Sequence, residues 1–144
     1  MITKIKQLLN SLIPPDTSKL DDTLAIVSLL CEVCIADEKT EASEKAAVVH
    51  TLKKLIGIDD EKASELLTMG MEEVRKGRSL FDFTSQLRDL DNAMRIKLVK
   101  AMWAVAYADG YLDPMEEALI RKVAALIYVN HSDFIRAKLA VMPC

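Results

Sequence analysis

The fold is decided by the stretch Ala108-Asp109-Gly110-Tyr111-Leu112-Asp113-Pro114-Met115-Glu116-Glu117, which lies between two apolar segments. A second version of this stretch occurs earlier, at Ala36-Asp37-Glu38-Lys39-Thr40-Glu41-Ala42-Ser43-Glu44-Lys45. Three acidic positions recur at a constant offset of 72 residues, pairing Asp37 with Asp109, Glu41 with Asp113 and Glu44 with Glu116. We refer to residues 36–45 and 108–117 as the first and second acidic turns. Two copies at this spacing indicate an internal pseudo-two-fold repeat of helical hairpins.

Length and composition favour one all-α domain. The chain has 144 residues, four Gly, four Pro and 5% aromatic residues, and no segment alternates between apolar and polar residues as a strand would. We therefore predict a single compact domain over 1–144 with seven or eight helices. Its repeat halves are expected at about 20–76 and 91–141.

Helical periodicity and turn residues predict where the helices lie. An amphipathic helix at 1–13 is expected to dock on the core of the domain, with membrane association the less favoured alternative. Further helices are predicted at 22–36, 42–56, 60–76, 79–89 and 91–108, then one with Pro114 in its first turn and a last one capped by Ser132 or Asp133. Residues 22–36 are apolar almost all round, which predicts a central helix. The helix at 42–56 is predicted to bury Ala46, Val49, Leu52 and Ile56.

The position of the first Asp in each acidic turn needs a physical reason. Asp37 and Asp109 fall where a helix C-terminus is expected, and the helix dipole disfavours a negative charge there. One explanation is that the Asp turns outward and caps the following helix. The other is that a cation sits between the Asp and the later Glu. Both explanations stay open at this point.

The two acidic turns and the apolar runs before them resemble the paired signature of the TerB family, the helical domain of tellurite-resistance proteins. The resemblance is carried by residues 29–37 (Leu-Leu-Cys-Glu-Val-Cys-Ile-Ala-Asp) and 104–116 (Ala-Val-Ala-Tyr-Ala-Asp-Gly-Tyr-Leu-Asp-Pro-Met-Glu), and it extends over roughly 20–140. It implies an all-α fold and an acidic cation site at Asp37, Glu44, Asp109 and Glu116. TerB-like domains are also found fused to DnaJ-like cochaperones, which implies a protein-interaction role as the alternative.

The acidic turns could form a joint metal site. The second turn does not have the spacing of an EF-hand, because position 12 counted from Asp109 is Ile120 rather than Glu. If the repeat brings the turns together, they supply six carboxylates, which suit Ca²⁺ or Mg²⁺: Asp37, Glu41, Glu44, Asp109, Asp113 and Glu116. If the turns lie apart, each is a capping motif. An acidic face could also recruit a basic partner protein without any metal.

Composition argues against several functional classes. The net charge is −3 and the pI is about 5.4, unlike the basic footprint of a nucleic-acid binder. No apolar run is long enough to span a bilayer, and no signal-peptide pattern opens the chain. Three cysteines, an odd number, do not form a disulfide framework, so a reducing cytoplasm is expected.

No residue pattern in the sequence predicts catalysis. Cys31 and Cys34 lie within an apolar helix and are interpreted as small buried hydrophobes rather than zinc ligands. His50 and His131 lack helical metal-site spacing and are expected near the surface. Glu32 interrupts the same apolar helix and is expected to form a structural ion pair or to be a further ligand of the acidic site. A nucleophile elbow and a phosphate-binding glycine loop are both absent from the sequence, so we expect no enzyme.

The C-terminal segment is basic, in contrast to the acidic middle of the chain. Arg121, Lys122, Arg136 and Lys138 are interpreted as solvated side chains, with a docking surface for an acidic partner or a second subunit as the alternative. The sequence therefore predicts a non-enzymatic binding or sensing module with a divalent cation at the acidic turns. The alternative is a cochaperone-type interaction domain whose acidic turns are structural caps.

Overall fold

The computed structural model describes residues 21–36, 42–108 and 110–142, and this part of the chain consists of α-helices joined by short turns. The prediction of an all-α fold is confirmed. Seven helices lie in the described ranges: α1 (Asp22–Ala36), α2 (Ala42–Ile56), α3 (Asp60–Arg75), α4 (Leu80–Leu87), α5 (Asn92–Ala106), α6 (Pro114–Leu126) and α7 (His131–Val141). The helix predicted at 1–13 lies outside the described residues.

Helix α1 is the centre of the domain. It packs against α2, α3, α4, α5 and α6, as expected for a helix without a polar face. Nine of its fifteen residues are buried, namely Ala25, Ile26, Val27, Ser28, Leu29, Leu30, Cys31, Val33 and Cys34. Both cysteines are fully buried, as predicted. The expected ion pair of Glu32 is not found: this side chain is half-buried and pairs with no cation in the described chain.

Helix α5 is the second buried helix and packs against α1, α2, α6 and α7. Its Trp103 is fully buried and meets Phe134 of α7 edge to face, with the ring centroids 5.2 Å apart. The amino group of Lys138 lies 5.3 Å from the centre of the Trp103 ring, so a basic side chain of the C-terminal segment covers this part of the core.

The buried face of α2 differs from the prediction. Val48 and Leu52 are fully buried, and so is Glu44, one turn before Val48. Ala46, which was predicted to be buried, is exposed, and Val49 and Ile56 are half-buried. Leu52 is buried as predicted, but the other three positions were wrong because the inward face of the helix contains Glu44, Val48 and Leu52.

Two predicted helix ends are also corrected. Helix α5 ends at Ala106 rather than at 108, because Tyr107 is its C-cap and Gly110 has a left-handed φ of 81°. Helix α7 is capped by Asn130 rather than by Ser132 or Asp133, since the Asn130 side chain accepts a hydrogen bond of 2.8 Å from the Asp133 N–H. Within the described residues, no helix is long and apolar enough to cross a bilayer.

Candidate functional site

The second acidic turn reverses the chain between α5 and α6. The Gly110 N–H donates to the Tyr107 carbonyl at 2.9 Å, and the left-handed φ of Gly110 turns the backbone away from the axis of α5. A residue with a β-carbon is strained in that conformation, which explains why glycine stands in the second turn. The equivalent position of the first turn, Glu38, lies outside the described residues.

Helix α6 begins with a capping box. Asp113 is the N-cap, and its Oδ1 accepts a hydrogen bond of 2.8 Å from the Met115 N–H. The carboxylate of Glu116 reaches back in turn, since its Oε1 accepts from the Asp113 N–H at 3.2 Å. Pro114 occupies the first turn, as predicted. The N-cap of this helix is therefore Asp113, whereas one of the two explanations offered from the sequence assigned that role to Asp109.

The equivalent glutamates of the two turns are both buried. Glu44 lies near the start of α2 and Glu116 near the start of α6, and each has 0% of its surface exposed. Full burial of a glutamate is uncommon, because a charged carboxylate loses its hydration unless charges or donors compensate. Two such residues at matching positions of a repeat are therefore a distinctive feature of this domain.

The negative charges of both glutamates act on the same thiol, that of Cys34 near the end of α1. The pKa of Cys34 is raised from 9.0 to about 12, mainly by burial and then by the charges of Glu44 and Glu116, while Lys45 acts in the opposite direction. Helices α2 and α6, which carry these glutamates, both pack against α1.

Cys31, one turn before Cys34, has a similar environment. Burial raises its pKa from 9.0 to about 12, with smaller contributions from Cys34 and Glu32. Its Sγ donates to the carbonyl of Leu67 on α3, at 3.8 Å. Both thiols are therefore neutral at physiological pH and are poor metal ligands, because a metal binds the thiolate.

The predicted cation ligands are described only in part. The charges of Glu44 and Glu116 both act on Cys34, and Asp113 lies next to Glu116 in the capping box. Asp37, Glu41 and Asp109 lie outside the described residues. Within 21–36, 42–108 and 110–142, no group of three or more His, Cys, Asp or Glu side chains could hold a metal ion. Sequence reasoning treated Cys34 only as a core residue, although its place three residues before Asp37 was a signal that it borders the turn.

A family model covers most of the chain. The model for tellurite resistance protein TerB matches residues 23–139. The chain belongs to the TerB family. The resemblance stated from residues 20–140 is thereby confirmed, and so is the all-α fold that it implied. Comparisons of this TerB domain with curated proteins and with solved structures gave no match.

Proposed function

We propose that this TerB domain is a non-enzymatic binding or sensing module of the cytoplasm that takes up a divalent cation, Ca²⁺ or Mg²⁺, at its acidic turns. The observation that supports it is the full burial of Glu44 and Glu116, whose negative charges both act on the Cys34 thiol. Membership in the TerB family supports a link to tellurite or stress resistance, which survival of host cells on tellurite, with and without the gene, would test.

The electrostatics of the site support a cation. Glu44 and Glu116 are fully buried, so water does not hydrate their carboxylates as it would at the surface. Carboxylate oxygens are the ligands that Ca²⁺ and Mg²⁺ prefer. In this proposal Asp37, Glu41 and Asp109 complete the ligand set begun by Glu44, Asp113 and Glu116.

The test is thermal unfolding of metal-stripped protein with Ca²⁺, Mg²⁺, Mn²⁺ or Zn²⁺ added separately. A cation at 100 times its Kd stabilises a protein by about 2.7 kcal/mol, so the midpoint should rise by about 5–10 °C for a domain of this size. The double variant Glu44→Gln/Glu116→Gln should abolish the rise. Glutamine suits this experiment, because a Gln at position 116 can still accept the Asp113 N–H and keep the capping box.

A matched control comes from the second capping box of the described chain. At the start of α4, Ser79 and Asp82 make the same reciprocal pair of hydrogen bonds, far along the chain from either acidic turn. Asp82→Asn should leave the response to the cation intact. No shift with any of the four ions would rule out the cation function.

The capping box of α6 favours a second candidate function, a cochaperone-type protein-interaction domain whose acidic turns are structural. In that case Asp113→Ala should lower the stability by about 0.5–2 kcal/mol, equally with and without divalent cations. Under the cation function, the same variant should lose additional stability only when the ion is present. Urea unfolding with and without the ion distinguishes the two.

A further inference from the structure

A recess with a cationic rim lies between α2 and α5, at the end of α7. Its volume is about 360 Å³, within the size range of small-molecule sites. From α2 it is lined by His50, Thr51 and Lys54, and from α5 by Lys97 and Lys100. No acidic residue of the described chain is among its lining residues. We propose that this recess binds a small phosphorylated molecule that has an uncharged part next to its phosphate.

The recess has an excess of positive charge, provided by three lysines that line it. Among the described residues, the ion pairs use cations such as Lys53, Arg78 and Lys138, but none includes Lys54, Lys97 or Lys100. Three like charges around one recess repel one another, and no carboxylate of the described residues forms an ion pair with them. The chain as a whole has a net charge of −3, so this positive charge is local to the recess. A bound anion would offset it.

On each of the two helices, the residues that line the recess have the spacing of a single helix face. Lys97, Lys100 and Ala104 follow one another at intervals of three and four residues, so they lie along one stripe of α5. His50 and Lys54 are likewise four residues apart on α2. The hydroxyl of Thr51, which is half-buried, and the ring of His50 add neutral or charged donors between the amino groups.

The apolar base of the recess indicates the chemistry of the part of the ligand that does not contact the lysines. It is formed by Leu55, Ala101, Ala104 and Val141, all apolar, and two of them are alanines whose short side chains leave room. Lysine amino groups bind phosphate as point charges, without the fixed fork of arginine. A ligand that fits both parts carries a phosphate at the lysines and an uncharged ring or chain against the alanines.

On α2, the recess is separate from Glu44. Its nearest residue on α2, His50, lies six residues after Glu44, which is about 9 Å along the helix axis. Binding of the phosphorylated molecule therefore does not require the cation, and the Glu44→Gln/Glu116→Gln variant should bind phosphate as the wild type does. The two proposals fail independently.

The experiment is an NMR titration of the isotope-labelled full chain with AMP, inorganic pyrophosphate and adenosine at low ionic strength. AMP should shift the amide signals of Thr51, Lys54 and Ala101, pyrophosphate should compete with it, and adenosine should bind much more weakly. No response to AMP or pyrophosphate up to about 10 mM, well above a millimolar Kd, would overturn the proposal.

Two variants separate a shaped site from general surface charge. Lys97→Gln/Lys100→Gln should weaken AMP binding by about tenfold or more, whereas the control pair Lys62→Gln/Lys122→Gln, both exposed and outside the recess, should leave it unchanged. Ala104→Leu keeps every charge but fills the base, and should also weaken AMP binding, with the exposed Ala93→Leu as its control. Equal losses in the test and control pairs would overturn the proposal.

A final arm distinguishes a free phosphorylated molecule from a lipid headgroup. Phosphatidylcholine vesicles with and without phosphatidic acid are sedimented with the protein. If phosphatidic acid is bound through Lys97 and Lys100 while AMP and pyrophosphate are not, the small-molecule proposal is wrong and the recess is a lipid site.

Discussion

At the scale of single residues, the two thiols of α1 have pKa values that reflect their burial in the core. Cys31 and Cys34 have pKa values raised from 9.0 to about 12 by burial, and in Cys34 the charges of Glu44 and Glu116 act in the same direction. The thiols remain protonated in the folded state at pH values where they ionise in the unfolded chain. The folded state therefore binds more protons than the unfolded state above pH 9.

This difference predicts a loss of stability at alkaline pH. Each thiol contributes stability that is present below pH 9 and is lost as the pH rises towards 12, by about 1 kcal/mol per pH unit for each thiol. Urea unfolding at pH 8, 9 and 10 measures the slope. The variant Cys31→Ala/Cys34→Ala should be less stable at pH 8 but should lose less stability between pH 9 and 10. A slope equal to that of the wild type would contradict the assignment.

At the scale of helices, the contact between α1 and α3 depends on Gly70. A β-carbon at this position would lie 2.7 Å from Val27 Cγ1, 2.9 Å from Cys31 Sγ and 3.3 Å from the Val27 carbonyl carbon. The glycine therefore permits a close approach of the two helices, which a larger residue would prevent.

We accordingly expect Gly70→Ala to destabilise the domain. Overpacking costs about 1–3 kcal/mol, whereas replacing glycine within a helix gains up to about 1 kcal/mol, so a net loss of about 1–2 kcal/mol is predicted from these two effects. Urea unfolding measures it, with the exposed Ser64→Ala on the same helix as the control. A stabilised Gly70→Ala protein would show that the helices can separate at little cost.

The helices themselves were predictable where local signals agree. The bounds of α1 and α2 follow from apolar periodicity and from Gly57, and both match the structure. The start of α7 was not predictable, because it depends on how the chain leaves α6. Tyr128 adopts a left-handed φ of 62°, and the Val129 N–H donates to the Ala124 carbonyl at 2.9 Å, a Schellman ending that normally uses glycine.

At the scale of the whole molecule, the sequence predicted which residues belong to the candidate site but not how they are arranged in space. The offset of 72 residues selected Glu44 and Glu116 from the sequence, yet their shared neighbour, Cys34, is known only once α1, α2 and α6 are packed. The recess at Lys54, Lys97 and Lys100 had no sequence signal, because Lys54 lies 43 positions before Lys97 on a different helix. Charges that tertiary packing brings together cannot be read from local spacing.

The packing of α1 has a consequence for synthesis on the ribosome. This helix is complete at Ala36, but the helices that cover it extend to Leu126 at the end of α6. At translation rates of about 5–20 residues per second, about 5–20 s pass between the synthesis of α1 and that of α6, the last helix that covers it. During that interval the nascent chain presents an uncovered hydrophobic segment, the kind of surface that molecular chaperones bind.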